Sequence, residues 1–215
     1  FKNMFTSRQI FNFDFLFEEI SNNLDPFDWD TFKEVNQKYE VVATDVKSGE
    51  SKYFDRDNCS DIISAVKASA SIPIMSKMID VEGRKYLDGG ISTSIAYKRA
   101  FELGYDRAIV VLTREDGYRK KTVSKINERL YKRYFEPLPN LIEKLMTVPK
   151  RYNMMQEEMD ELEKEGKLLI IRPQKKVTVQ RLEKSIAKLE SLYNEGYEEG
   201  VKNIEKIKDF IALKF

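Results

Sequence analysis

Three short apolar runs, spaced along the chain with helix-forming sequence between them, constrain its fold more than any other feature. They lie at residues 39–46, 108–113 and 168–172. Each is rich in Val, Ile, Leu or Ala without a regular polar alternation, the pattern of a strand buried on both faces. Between the first two, residues 61–69 read as a helix with Ile62, Ile63, Val66 and Ala70 inward and Pro73 ending it. Residues 93–103 read as a second helix stopped by Gly104. Charged helices follow over 123–145, disturbed at Pro137 and Pro139, and over 150–165; two more, 178–193 and 195–213, close the chain. Strands separated by helices predict an α/β fold with a mostly parallel sheet and helices on both faces.

Smaller signals fill in the rest. Ser48-Gly49-Glu50 turns the chain toward a returning strand at 52–54. Upstream, Phe1, Phe5, Phe11, Phe13, Phe15 and Phe17 are interleaved with polar residues, and residues 14–20 suit a short helix. Asp25-Pro26-Phe27-Asp28 is a turn, after which Asp28 or Asp30 would cap a helix carrying Phe32 and Val35. About residues 1–115 are expected to form a sheet core and about 116–215 a mainly helical remainder with one strand.

Composition removes several function classes. The 215 residues suffice for one domain with a real core. Their 37 Lys and Arg nearly cancel 36 Asp and Glu, so global charge gives no argument for a nucleic-acid partner, and none is expected. There is no histidine. That excludes a Ser-His-Asp triad built from these residues, His-ligated zinc and imidazole base chemistry, but not a dyad in which a carboxylate takes the nucleophile's proton. The single cysteine, Cys59, cannot form an internal disulfide and is read as a residue at a helix N-terminus with no redox task. No cofactor or metal is expected. No apolar run is long enough to span a membrane, so a cytoplasmic or membrane-peripheral protein is expected.

The most informative short motif is Asp88-Gly89-Gly90, which follows Tyr86-Leu87 and precedes Ile91-Ser92-Thr93-Ser94. An Asp at a strand end followed by two glycines is a carboxylate on a tight turn, with side chains removed that would keep a substrate away. Asp-Gly is also the commonest turn dipeptide, and on these three letters alone a plain turn is the favoured reading.

The surroundings add weight: Ala68-Ser69-Ala70-Ser71-Ile72-Pro73 before the motif, then Gly83 to Ile91, the helix ending at Gly104, and the strand from Ala108 to Thr113. This ordered series resembles the second half of a patatin-like phospholipase, from about residue 39 to 113, with a looser likeness in the C-terminal helices around Tyr193-Asn194-Glu195-Gly196-Tyr197. In that family an A-S-x-x-x-P segment leads through a short hairpin to a strand ending in D-G-G. The resemblance implies a lipid acyl hydrolase of phospholipase A or esterase type that works through a Ser–Asp dyad. It places the Asp at Asp88, with Gly89 and Gly90 allowing close backbone approach.

The family's G-x-S-x-G elbow and Gly-rich oxyanion loop are not found; the nearest imitation, Gly49-Glu50-Ser51, continues with Lys52-Tyr53. Ala96 also stands where the family often has Pro. Because the chain opens at Phe1, the expectation is a fold incomplete at its N-terminal side with a helical C-terminal extension, carrying the Asp of the dyad and not the Ser. The alternative is a non-catalytic fragment or a lipid- or protein-binding module. Expected partners are a phospholipid or other acyl-ester substrate, the surface of a membrane, and a second copy meeting the truncated face.

Four other constellations have a structural reading beside a functional one. Residues 118–135 carry Arg119, Lys120, Lys121, Lys125, Arg129, Lys132 and Arg133 against Glu128, with Tyr118, Tyr131, Tyr134 and Phe135 interleaved. They suit an anionic membrane surface, though a solvated helix with its aromatics packed inward is the plainer reading. Tyr152, Met154, Met155 and Met159 could line an acyl channel but suit core better. Asp45 is a second site acid or, preferably, a turn residue. Glu157, Glu158, Asp160, Glu161, Glu163 and Glu165 read as a solvated face.

Overall fold

A computed structural model describes residues 13, 15–180 and 182–212. Phe1, Phe5, Phe11 and Asp14 lie outside the described residues. The elements are a π-helical segment Phe15–Leu24, α1 (Trp29–Glu34), β1 (Val41–Asp45), β2 (Ser51–Phe54), α2 (Ile62–Ser69), β3 (Ile79–Val81) and β4 (Arg84–Asp88). A 3-10 turn Gly89–Ile91 follows, then α3 (Tyr97–Glu102), β5 (Ala108–Val111), α4 (Lys125–Tyr134), α5 (Pro139–Lys164), β6 (Leu168–Ile171), α6 (Ile186–Lys202) and α7 (Ile204–Ala212). They fall into two compact units, residues 1–95 with 122–149 and residues 96–121 with 150–215.

The first unit is built on a four-stranded sheet in the order β2-β1-β4-β3, and every pairing in it is antiparallel. This corrects the expectation of a mostly parallel sheet. The physical reason lies in the connections. β1 and β2 are joined by five residues and β3 and β4 by two, too few for the crossover that parallel neighbours require. The tighter link is Glu82-Gly83, both at positive φ (53° and 79°), the backbone that matches the twist of a two-residue hairpin. Among the described residues, parallel pairing is confined to β5 and β6 in the second unit, in register from Ala108 with Leu168 to Val111 with Ile171.

The sheet carries a core on each face. Adjacent residues of β4 divide between them, because successive side chains on a strand point opposite ways. Tyr86 joins Val41, Ala43 and Phe54 against α2, where Ala65 and Ala68 are fully buried. Leu87 joins Ile91, Phe135, Leu141 and Leu145 against α4 and the start of α5. The inward face of α2 is therefore Ala65 and Ala68, with Ile62 and Val66 beside it, and Ala70 is exposed. Small residues let the helix lie close to the sheet.

Local capping sets several boundaries. Asp28 caps α1 by accepting from Thr31 N at 2.9 Å, as expected for that position, and Ser124 caps α4 through Asn127 N at 3.2 Å. Asp61 caps α2 through Ser64 N at 3.0 Å and the Ser64 hydroxyl at 2.6 Å. These two bonds, the hydroxyl's first, hold its carboxyl below the ordinary range. Cys59 is not a helix residue. It lies after the turn at 56–58 and before α2, and is buried in the core, which raises its thiol pKa.

Several helix boundaries differ from expectation. The helix expected from residue 178 begins only at Ile186, where Ser185 caps it by accepting from Lys188 N at 3.4 Å. Residues 93–96 are not helical, since Ser92 and Thr93 spend their hydroxyls on Thr44 and Ser51. The two helices expected over 123–165 break between Tyr134 and Pro139, and α5 then runs through Pro149. The C-terminal pair divides at Asn203 rather than near Asn194. Asn203 Nδ2 donates to the Glu199 carbonyl at 2.8 Å and ends α6, whereas Gly196 and Gly200 stay inside it.

In the second unit, the apolar β6 is buried along its whole length beside β5. Arg172, only 10% exposed, is held by Asp116 at 2.7 Å and Asp160 at 3.0 Å. Two residues of the acidic run on α5 are thus not simply a solvated face: half-exposed Asp160 binds Arg172, and half-exposed Glu163 accepts from Ile170 N at 3.0 Å.

Replacing Leu87 by Ala is expected to cost about 2–5 kcal/mol in urea unfolding, and replacing its exposed neighbour Lys85 by Ala no more than about 0.5 kcal/mol. Asp61→Ala is expected to cost about 0.5–2 kcal/mol at neutral pH. Its folded pKa is depressed, so its stabilisation is present above the unfolded carboxylate value and disappears as pH falls through the folded one. Unfolding midpoints of wild type and variant should converge in acid; a gap independent of pH would contradict the capping role.

Candidate functional site

β4 ends at Asp88, and the chain turns there through Gly89–Ile91. The turn is tied down on several sides. Asp88 N donates to the Ser71 carbonyl at 2.9 Å, so the end of the A-S-x-x-x-P segment and the start of D-G-G are joined by backbone. The Asp88 carbonyl accepts from Thr44 Oγ1 at 2.8 Å, and Thr44 is completely buried on β1. Asp88 itself is half-buried, and its Oδ1 accepts from Gly90 N at 2.7 Å. The carboxylate therefore caps its own turn and is held in one orientation.

The two glycines do different work. A Cβ on Gly89 would collide with the Val42 carbonyl oxygen and stand 2.7 Å from Val42 Cγ1. Gly89 is thus where the turn presses against β1, and no side chain fits. A Cβ on Gly90 would meet Asp88 Oδ1 at 3.0 Å, the oxygen that Gly90 N holds. Gly90 leaves room for the carboxylate. Clearing space for an incoming substrate was the expected purpose of both; close packing against the strand and against the carboxylate is what the geometry contains.

Beside the turn runs a chain of hydroxyls. Thr44 Oγ1 lies 2.8 Å from Ser92 Oγ and accepts from Ser92 N at 3.1 Å. Ser51 Oγ donates to Ser92 Oγ at 2.8 Å and lies 2.6 Å from Thr93 Oγ1. Neither Thr44 nor Ser92 nor Ser71 carries a site signal of its own in the sequence. The available signal was position: Thr44 is one residue from the end of β1, and Ser92 follows the D-G-G turn. Neither letter alone shows that the two would meet across 48 residues.

The other residues considered for a site have structural roles. Asp45 is 5% exposed; its Oδ1 accepts from Lys47 N at 2.9 Å and Ser48 N at 2.8 Å, and its Oδ2 meets Arg84 at 2.6 Å. That is the turn role preferred for it. Among the methionines of α5, Met159 is fully buried, Met155 half-buried and Met154 exposed, so they do not line a common channel. Tyr97 is buried, which with the neighbouring Glu158 pushes its hydroxyl pKa upward; Glu158 also pairs with Lys98 at 2.7 Å. Among the described residues no group of three or more acids or cysteines is arranged to hold a metal ion, and no helix is long and apolar enough to cross a membrane.

Comparison with known families gives two matches on different stretches. A family described as patatin-like phospholipase matches residues 1–100, and a domain of unknown function (DUF6363) matches residues 138–212. Comparison with curated proteins gives no match. The first match covers β1 to β4, the A-S-x-x-x-P segment and the Asp88 turn, but stops short of Gly104 and of the strand at 108–113, to which the resemblance also extended; the C-terminal helices, where a looser likeness was read, fall with β6 in the second match instead. Residues 1–100 belong to the patatin-like phospholipase family, and residues 138–212 carry a DUF6363 domain.

Proposed function

We propose that the protein is a lipid acyl hydrolase in which Asp88 is the carboxylate of a Ser–Asp dyad. One observation carries this reading: the Asp88 turn sits inside the stretch matched to the patatin-like family, and its carboxylate is oriented by Gly90 N at 2.7 Å on a turn anchored to β1 and to Ser71. A dyad needs a base held in one place, because proton transfer tolerates little error in distance.

The chemistry assigned to the site is acyl transfer. The serine Oγ forms a bond to the ester carbonyl carbon while Asp88 accepts the hydroxyl proton. Collapse of the tetrahedral intermediate breaks the bond to the alcohol oxygen, which takes that proton as it leaves. Water then attacks the acyl-enzyme, again giving its proton to Asp88, and the acid is released as the serine recovers its hydrogen. These 215 residues hold no G-x-S-x-G elbow. The reading therefore assigns them the base and the turn that holds it, and leaves the nucleophile unassigned.

In the native protein, Asp88→Asn should reduce hydrolysis of a short-chain nitrophenyl ester by at least about 100-fold, with the urea midpoint unchanged. Substantial activity in that variant would remove Asp88 from the mechanism. The glycines should separate stability from activity. Gly89→Ala, which collides with β1, should cost about 1–3 kcal/mol of stability. Gly90→Ala displaces the carboxylate and should lower turnover by roughly 10- to 100-fold while leaving the unfolding midpoint closer to wild type.

A further inference from the structure

Helix α4 (Lys125–Tyr134) presents an apolar stripe that the fold leaves uncovered. Ile126, Leu130 and Tyr134 stand at successive four-residue steps and so lie on one side of the helix. They are 71%, 46% and 51% exposed. The side next to it is the one the protein uses: Phe135 is buried against Leu87 and Ile91, Tyr131 packs beside it, and the edge of the stripe, Tyr134, touches the Phe135 ring at 4.9 Å between centroids. A helix of this size ordinarily has one apolar face, turned to the core. This one has two.

The charges on α4 are not balanced. Lys125, Arg129, Lys132 and Arg133 face a single acid within the helix, Glu128, and Lys132 takes that acid at 2.7 Å. Arg129 and Arg133 flank the exposed stripe, one step back from Leu130 and Tyr134 in the sequence. An apolar ridge edged by guanidinium groups matches an interface that is apolar beneath and anionic at its surface. A nucleic acid would use the arginines but would leave Ile126 and Leu130 without a partner.

We propose that α4 docks the protein on anionic lipid bilayers, with Ile126, Leu130 and Tyr134 entering the headgroup boundary and Arg129 and Arg133 binding lipid phosphates. The choice of a lipid partner rests on the acyl-lipid reading of the Asp88 site. Placement supports it: the core cluster that seats α4 includes Leu87 and Ile91, which bracket the Asp88 turn in sequence. The docking helix and the strand that delivers Asp88 belong to the same compact unit.

Vesicles of ether-linked phosphatidylcholine, with and without ether-linked phosphatidylglycerol, test the proposal by co-sedimentation at low and high salt. Ether lipids have no acyl ester, so binding is read whether or not Asp88 is a catalytic base. The wild-type chain should bind the mixed vesicles, bind neutral ones weakly, and lose affinity as salt rises. R129Q/R133Q should weaken binding to mixed vesicles roughly 30-fold, and I126S/L130S at least about 10-fold. All four side chains are exposed, so urea midpoints should stay near wild type, and in the native protein hydrolysis of a soluble ester should not change. Absence of vesicle binding would overturn the proposal. So would equal binding to neutral vesicles, or an unchanged affinity in I126S/L130S. Retention of a DNA or RNA duplex by the arginines, with no vesicle binding, would assign the face to nucleic acid instead.

Discussion

The contact between Gly89 and the Val42 carbonyl is the constraint around which the first unit is arranged. The backbone after β4 passes so close to β1 that no Cβ can stand between them. That approach brings Asp88 over Ala43 in the strand pairing and puts the Thr44 hydroxyl within bonding distance of the Asp88 carbonyl. Thr44 in turn reaches Ser92, and Ser92 reaches Ser51 on β2. A single close packing of two strands thus lines up the carboxylate, its supporting turn and a line of hydroxyls. The same turn sends Leu87 and Ile91 into the core shared with α4 and α5.

Much of this was legible in the sequence because it depends on local signals. Of the six strands among the described residues, five follow from apolar runs, from the turn at Ser48-Gly49-Glu50 or from the short run before Asp88, and Asp28 was correctly weighed as a cap. Pairing was misjudged because strand direction follows connection length, and the links of two and five residues that force antiparallel neighbours were outweighed by the βα pattern of the longer runs. Helix ends were misplaced where a side chain competed with the backbone: Ser92 and Thr93 bind across the sheet, and Asn203 caps its own helix.

At the site, the letters D-G-G located the carboxylate but not the reason for the glycines. That reason is tertiary, since Val42 and Gly89 are far apart in sequence. Thr44 and Ser71, which hold the turn from opposite sides, carry no motif. Residues whose role is to satisfy a distant backbone group are rarely visible in sequence alone. The acidic run on α5 gives a second case, where Asp160 and Glu163 look solvated until Arg172 and Ile170 are brought beside them.

As the proposed base of the dyad, Asp88 must lie beside a reactive serine. The most direct measurement is a crystal structure of the native protein after labelling with a fluorophosphonate. A Ser–Asp dyad at Asp88 predicts one labelled serine, with its Oγ about 3 Å from the Asp88 carboxylate and the Gly90 bond intact. A label on a serine remote from Asp88, or no label on an enzyme that still hydrolyses esters, would contradict it.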